Sequence, residues 1–230
     1  MKKIAVVILT FLLAGSIYAQ QGVTRNLPDY DSRMVHWGFS FGVNKLDFML
    51  FKTADFATQD TLTGIVHGWM PSGHLGPAVS IQMARHVDFR FLINLTFQQR
   101  TLNYYFANGD YQKVDINSTL LQTPILFKYK GNRYGNIRPY VIGGAAPTFD
   151  LSARKRIITD QPHVYLTPED VYLEVGTGFD FFLQYFKLST ELKFGYGLFD
   201  VTVHDPNYLY TRYIDQLHSY YLMLTFHFEG

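Results

Sequence analysis

Apolar and polar residues alternate with a period of two along much of the chain. In residues 89–98 the odd positions are all apolar, and the even ones are polar except Leu92. Since successive side chains of a β-strand point to opposite faces, this pattern predicts a strand with one apolar and one polar face. Eight such strands are predicted, the fifth being too rich in Gly and Ala for its faces to be assigned. They cover about residues 35–44, 75–84, 89–98, 115–129, 137–151, 171–181, 187–197 and 219–228.

The connections between the predicted strands alternate between short and long. Tight turns are predicted at residues 85–87, 131–136 and 184–185, and longer connections at residues 49–73, 106–113, 152–170 and 199–214. Outer-membrane barrels alternate in this way, with tight periplasmic turns and longer external loops. The fold class predicted is therefore all-β: an eight-stranded antiparallel up-and-down transmembrane β-barrel of outer-membrane type.

Charged residues decide which face of these strands points inward. An Arg or Lys on the lipid face near the bilayer midplane costs about 2–4 kcal/mol, so the charged faces are predicted to point into the lumen. There the charged side chains are expected to form an internal ion-pair network, because a buried charge without a partner is costly. The residues concerned are Arg90, Arg100, Lys128, Glu174, Asp180, Glu191 and Lys193.

Two alternatives to this arrangement start from the same pattern. A soluble lipocalin-type barrel would also have eight strands, but with apolar residues turned inward around a ligand. The lumenal charges could instead line a polar conduction path. An eight-stranded barrel is just filled by its own side chains, which disfavours such a path.

The first residues show the pattern of a secretory signal peptide. Lys2 and Lys3 precede an apolar run from Ile4 to Ala14, and a small residue, Ala19, stands at the predicted cleavage site. A membrane-anchor helix is the alternative, but a helical span needs about 20 apolar residues. The predicted organisation is a signal peptide (1–19), a periplasmic N-terminal segment (20–34) and an outer-membrane barrel (35–230).

Composition excludes several classes of function. The chain contains no cysteine, so it has neither a disulfide framework nor a thiolate site. Without Lys2 and Lys3, 18 basic residues stand against 19 acidic ones, and this balance gives no basic field to attract nucleic acid. The basic run Arg154-Lys155-Arg156 could attract an acidic partner or could simply be solvated.

No motif in the sequence assigns a catalytic residue, a metal or a cofactor. The eight histidines show no metal-ligand spacing, and there is no Gly-rich phosphate loop. A hydrolase at the external rim is one alternative, since Asp200, His204 and Asp205 share one predicted external loop, and Ser72 and His74 share another. A catalytic set is recognised by its geometry, which these loops do not define.

The start of the predicted mature chain resembles a known family. The block Asn26-Leu27-Pro28-Asp29-Tyr30-Asp31, followed by residues 36–44 and by Asp47-Phe48, resembles the PorT/SprT family. Residues 123–129, 138–141 and 176–180 resemble the wider group of outer-membrane β-barrels that contains it. Only the amino-terminal block is specific to PorT/SprT.

This resemblance implies a role in protein export. PorT/SprT proteins are outer-membrane barrels required for type IX secretion and, in gliding species, for motility. The resemblance thus implies a non-enzymatic component or assembly factor in the bacterial outer membrane. The even number of predicted strands puts both termini on the side of the short turns, which is expected to be periplasmic. Its expected partners are outer-membrane lipid and other proteins of the machine, with no cofactor, nucleic acid or small-molecule substrate.

The segment from Asn26 to Asp31 is the candidate partner contact, and a plain linker is the other interpretation of these residues. A small envelope barrel for adhesion or envelope stability is the alternative function.

Overall fold

The computed structural model describes residues 24–52, 62–69, 72–106, 111–152, 167–200 and 214–230. The predicted signal peptide, residues 1–19, lies outside this part of the chain. In the described residues a short 3-10 helix, Tyr30–Ser32, precedes eleven β-strands. The strands are β1 Val35–Lys52, β2 Leu62–Trp69, β3 Ser72–Ala84, β4 Val87–Leu92, β5 Asn94–Phe106, β6 Tyr111–Gln122, β7 Ile125–Lys130, β8 Ile137–Asp150, β9 Glu169–Phe182, β10 Lys187–Gly197 and β11 Ile214–Glu229.

These eleven strands form eight staves of one closed antiparallel barrel. β2 with β3, β4 with β5, and β6 with β7 each make one interrupted stave, and the other five strands are single staves. Each stave pairs with its neighbours in chain order, and β11 pairs with β1 to close the ring. The predicted eight-stranded up-and-down barrel is confirmed.

Prolines mark the interruptions in the barrel wall. The amide of Ile93, between β4 and β5, donates to the Pro77 carbonyl at 3.2 Å, and Thr123, between β6 and β7, donates to the Pro147 carbonyl at 2.9 Å. Pro124 follows Thr123 in the same break. Because proline has no amide hydrogen, it removes a donor from the sheet ladder wherever it stands. The breaks in these neighbouring staves lie beside one another in the wall, since the Leu92 amide donates to the Pro124 carbonyl at 3.1 Å.

The two ends of the barrel differ. We call the end with the turns Arg85–His86, Gly131–Asn136 and Leu183–Phe186 the turn end. The amino-terminal residues described and Gly230 also lie there, where the Gly230 amide donates to the Trp37 carbonyl at 3.1 Å. We call the opposite end the loop end; residues 53–61, 107–110, 153–166 and 201–213 between its strands are outside the described residues.

The long connection predicted at residues 49–73 is partly wrong. β1 continues to Lys52, and β2 occupies Leu62–Trp69 within that range. β2 pairs with residues 100–106 of β5. Apolar and polar residues do not alternate within β2, so its pairing with a distant strand was not visible in the local pattern.

Burial in this barrel is the reverse of that in a soluble protein. Large apolar side chains are exposed on the outside, with Trp37 at 69% and Val175 at 61%, whereas Arg90 and Asp180 inside are fully buried. The soluble lipocalin-type alternative is therefore wrong, since its apolar residues would face inward. No helix in the described part of the chain is long and apolar enough to cross a membrane.

The structure also defines the faces of the fifth stave, β8. Tyr140 and Ile142 are buried on its lumenal face, while Val141 between them is exposed on the outside. The outer face of the closing seam between β1 and β11 is aromatic. Phe39 stacks on Phe228 with ring centroids 5.0 Å apart. Such cross-strand aromatic pairs stabilise the seam.

Candidate functional site

The lumen is crossed by a network of buried ion pairs centred on Arg90. Its guanidinium donates to Glu191 at 3.0 Å and to Glu229 at 2.7 Å, and its Nε donates to the Ser80 hydroxyl at 3.2 Å. Lys187 contacts the other oxygen of Glu229 at 2.5 Å. Arg90 lies on the third stave and Glu191 on the seventh, so this pair spans the lumen between opposite walls.

A second group of ion pairs surrounds Lys128. Its Nζ contacts Asp180 at 2.6 Å, and the Ser189 hydroxyl donates to the same carboxylate oxygen at 2.6 Å. The ammonium also lies 3.7 Å from the centroid of the Tyr140 ring, in cation–π geometry. The Tyr140 hydroxyl donates to Glu191 at 3.0 Å. Tyr140 therefore links this group to the one around Arg90.

A third group lies around Glu174. Lys193 contacts this carboxylate at 2.8 Å and lies 4.0 Å from Glu191. The hydroxyl of Tyr221 donates to the other oxygen of this carboxylate.

The charges of the network balance. The five cations and five anions that these contacts and the Lys130–Asp88 pair join are Arg90, Lys128, Lys130, Lys187, Lys193, Asp88, Glu174, Asp180, Glu191 and Glu229. Because a buried charge without a partner costs several kcal/mol, such a balance permits this many charges in one interior.

The structure places six of the seven predicted lumenal residues in this network, all of them buried. The seventh, Arg100, pairs through its backbone with Ile116, and its side chain is outside the described residues.

Sequence reasoning missed Asp88, Lys130, Glu229 and the pairing of Lys187. Strand parity could have found Asp88 and Lys130, since they lie two residues from Arg90 and Lys128.

Of the residues considered for a rim hydrolase, Ser72 and His74 lie in the barrel wall. Ser72 and His74 lie within β3, not in an external loop as predicted, and both are buried. His74 Nε2 is 3.1 Å from the Thr225 hydroxyl. The prediction was wrong because β3 begins earlier than the local pattern indicates, where residues 73–75 pair with β5. His204, Asp205 and the basic run 154–156 are outside the described residues, among which no group of His, Cys, Asp or Glu could hold a metal ion.

The N-terminal segment, Asn26–Asp31, is folded across the turn end. The Asn26 amide donates to the Asn136 side chain at 2.9 Å, and its own side chain donates to the Phe182 carbonyl at 3.0 Å. Arg133 donates to the Asn26 carbonyl at 2.5 Å and places its guanidinium 3.7 Å from the centroid of the Phe182 ring. The segment is therefore fixed to the turn Gly131–Asn136 and to the end of β9.

Tyr30 ties the N-terminal segment to the lumenal network. Its ring stacks on His36 at 3.8 Å and meets Phe182 edge-on at 5.7 Å. Its hydroxyl donates to Glu229 at 3.0 Å, and the Lys187 ammonium lies 4.5 Å from its ring centroid. Burial and the charge of Glu229 raise the pKa of Tyr30 well above its ordinary value. The phenol therefore keeps its proton and remains a donor.

Asp31 forms the second attachment of the segment. Arg138 binds its carboxylate in bidentate geometry, at 2.9 and 2.5 Å. The hydrogen bond from Arg138 holds the pKa of Asp31 below its ordinary value, against the opposing effect of partial burial. Pro28 and Asp29, between the two attachments, are exposed.

Acid is expected to loosen the N-terminal segment. Because the pKa of Asp31 is lowered in the folded chain, its bond to Arg138 is fully stabilising above the ordinary Asp pKa of 3.8. This stabilisation is lost as the pH falls through the lower pKa of the folded state. A spin label on Asp29→Cys, unique because the chain has no cysteine, should therefore gain mobility only below about pH 4.

The matched control is the same label in Asp31→Asn, which should be mobile at neutral pH and insensitive to acid. Gel mobility in detergent would check that the barrel itself stays folded. In the Asp31 protein, label mobility that stays at its pH 7 value down to the lowest pH at which the barrel remains folded would contradict the prediction.

Comparison with known proteins agrees with this architecture. A family model described as "Outer membrane protein beta-barrel domain" matches residues 18–203. The chain belongs to this family. Membership places the apolar outer face of the barrel in the lipid of the outer membrane, where only closed barrels or helices satisfy every backbone group.

A solved outer-membrane protein shares the fold of this family member at low sequence identity. AlkL, determined in lipid bilayers, is 12% identical with a TM-score of 0.50, over 93% of this chain and 95% of its own. OprG from Pseudomonas aeruginosa is 18% identical with a TM-score of 0.49, over 86% of this chain and 94% of its own. No curated protein matches the chain.

Proposed function

We propose that this outer-membrane barrel is a non-enzymatic component or assembly factor of a type IX protein secretion machine, which also drives gliding in gliding species. The observation that carries the proposal is the N-terminal segment. The residues that resemble the PorT/SprT family, Asn26–Asp31, are an ordered part of the barrel and not a loose linker, held by Tyr30 and Asp31.

The filled lumen supports a role exerted through surfaces. The contact of Arg90 with Glu191 crosses the interior of the barrel at 3.0 Å. Within the described residues, such a filled eight-stranded lumen leaves no room for an aqueous channel, which supports a protein that acts by contacting partners.

The turn end is the proposed partner surface. Outer-membrane barrels keep their short turns in the periplasm, so the turn end and both termini are assigned to that side. Pro28 and Asp29 are the exposed part of the N-terminal segment and are the proposed contacts. Tyr30 supports this surface from below, since it is buried.

Deletion of the gene is expected to block secretion of cargo proteins while outer-membrane permeability stays normal. Secretion is measured as the fraction of cargo in the culture medium, and permeability as sensitivity to a large antibiotic. Cargo release at the wild-type level would overturn the proposal. Normal secretion together with loss of adhesion or envelope integrity would instead favour the small envelope barrel.

A double substitution separates partner contact from folding. Pro28→Ala with Asp29→Ala alters only exposed side chains, so normal barrel levels with reduced secretion are expected. The control is Tyr134→Ala, an exposed residue of another turn at the same end. Equal secretion by the two variants would contradict the proposal that the N-terminal segment contacts the partner.

A further inference from the structure

A basic cleft opens at the turn end, beside the N-terminal segment. Its volume is about 650 Å³, within the range of ligand-binding clefts. Four arginines line it, namely Arg25, Arg85, Arg133 and Arg138. Asp31 is the one carboxylate of its lining. The cleft therefore holds a large excess of positive charge in a small space.

The excess is not neutralised within the described part of the chain. Arg138 forms an ion pair with the Asp31 carboxylate. No carboxylate of the described residues forms an ion pair with the other three arginines. Arg133 donates only to uncharged oxygens, including the Gly135 carbonyl at 2.9 Å and the Asn136 side chain at 3.0 Å. Burial lowers the pKa of Arg133, and the positive charge of Arg138 acts in the same direction.

One donor of a cleft residue lacks an acceptor within the described part of the chain. Arg138 is 7% exposed, and its Nε has no hydrogen-bond partner there. A buried guanidinium N–H without an acceptor costs free energy, so the described residues around Arg138 compensate this positive group incompletely.

The cleft faces the mouth of the lumen. Arg138 belongs to the inward face of β8, and the N-terminal segment forms another part of the lining. The lipid-facing side chains point the opposite way. This position disfavours a lipid headgroup as the occupant and favours a ligand that approaches from the periplasm along the barrel axis.

The contact between the N-terminal segment and the cleft indicates which chemical group the cleft can bind. Asp31, on a short stretch of chain lying across the cleft, is held by the fork of Arg138 through two hydrogen bonds. Arginine recognises carboxylates in this planar, bidentate way better than lysine does. A second acidic peptide could place its carboxylates against the remaining arginines in the same manner.

We propose that this cleft binds an acidic segment of a periplasmic partner protein, whose carboxylates pair with Arg25, Arg85 and Arg133. The inference rests on the proposed function, in which the turn end contacts the secretion machine, and it names the chemistry of that partner. Such binding weakens as salt is added, because the pairs lie in a cleft open to solvent.

Binding of a labelled hexaglutamate peptide to the purified full chain in neutral-lipid nanodiscs tests this. Fluorescence anisotropy should show saturable binding that hexaglutamine lacks. Arg25→Ala with Arg85→Ala removes two exposed cations and should weaken binding by about tenfold or more. Arg33→Ala, an exposed arginine at the same end that does not line the cleft, is the matched control and should bind normally.

Three results would overturn the proposal. Equal weakening by Arg33→Ala would show general charge attraction. Competition by inorganic phosphate at the same total charge would show a small-anion site. Release of the bound peptide by a soluble short-chain anionic phospholipid, added to the neutral nanodiscs, would show that a lipid headgroup occupies the cleft.

Comparing peptide binding by the wild-type chain with secretion by the deletion strain separates this inference from the proposed function. Tight peptide binding by the wild-type chain, with normal secretion in the deletion strain, would support the proposed cleft and contradict the secretion role. Loss of secretion on deletion, without any peptide binding by the wild-type chain, would support the secretion role and contradict the proposed cleft.

Discussion

Replacing Lys128 by methionine is expected to lower the free energy of unfolding by about 3–5 kcal/mol, because it leaves a buried carboxylate without its cation. Lys128 and Asp180 are both fully buried and lie 2.6 Å apart. After the substitution, Ser189 would be the remaining contact of Asp180 described above. One neutral hydroxyl does not compensate a buried carboxylate.

Removing both charges should recover most of this loss. Lys128→Met with Asp180→Asn leaves no buried charge at the site, and neutral replacement of a whole buried pair is often tolerated. The measurement is denaturant unfolding in detergent, followed by the heat-modifiable gel mobility of the barrel. Arg33→Met, at an exposed position, is the control and should change stability by no more than about 0.5 kcal/mol. A double variant as unstable as the single one would show that the two charges are not coupled.

The second large effect is expected at Gly195, on the lumenal face of β10. A Cβ added at this position would lie 2.3 Å from the Tyr221 ring, far inside contact distance. Tyr221 is fully buried, packs against Tyr172 at 4.9 Å between ring centroids and donates to Glu174. Its ring therefore has no free space into which it can move.

Gly195→Ala should thus cost more than simple overpacking, which is typically about 1–3 kcal/mol. The displaced ring also loses its hydrogen bond to a charged group, worth about 1.5–3 kcal/mol. Gly73→Ala is the matched control, because the nearest atom to its added Cβ is 3.6 Å away. Adding Tyr221→Ala to Gly195→Ala should give less than the sum of the two separate losses, and strict additivity would contradict the steric explanation.

The faces of the strands could be predicted from sequence because the signal repeats. Each charged residue on a strand fixes the parity of that whole strand, and the cost of placing an ion against lipid fixes the direction. The faces of β8 could not be assigned in this way, because its small residues give no contrast between the two faces. These residues are Gly143, Gly144, Ala145 and Ala146. The inward side of β8 became evident only from pairing with β7 and β9.

The partners within the lumen could not be predicted. Arg90 and Glu191 are 101 residues apart in the chain, and they meet because the third and seventh staves face each other across the ring. No local pattern contains that information. The position of the N-terminal segment is similar, since its polar and turn-prone composition gave no sign that Tyr30 would be buried against His36.

The hydrogen bonds of Glu229 have a consequence for how the barrel is made. This carboxylate on β11 accepts from Arg90, Lys187 and Tyr30, which come from the third stave, the seventh stave and the N-terminal segment. Until the last stave is in place, two lumenal cations lack this counter-ion during insertion. Biogenesis is therefore expected to be all-or-none at its final step. The strand that closes the barrel also neutralises the lumenal cations and fixes the N-terminal segment.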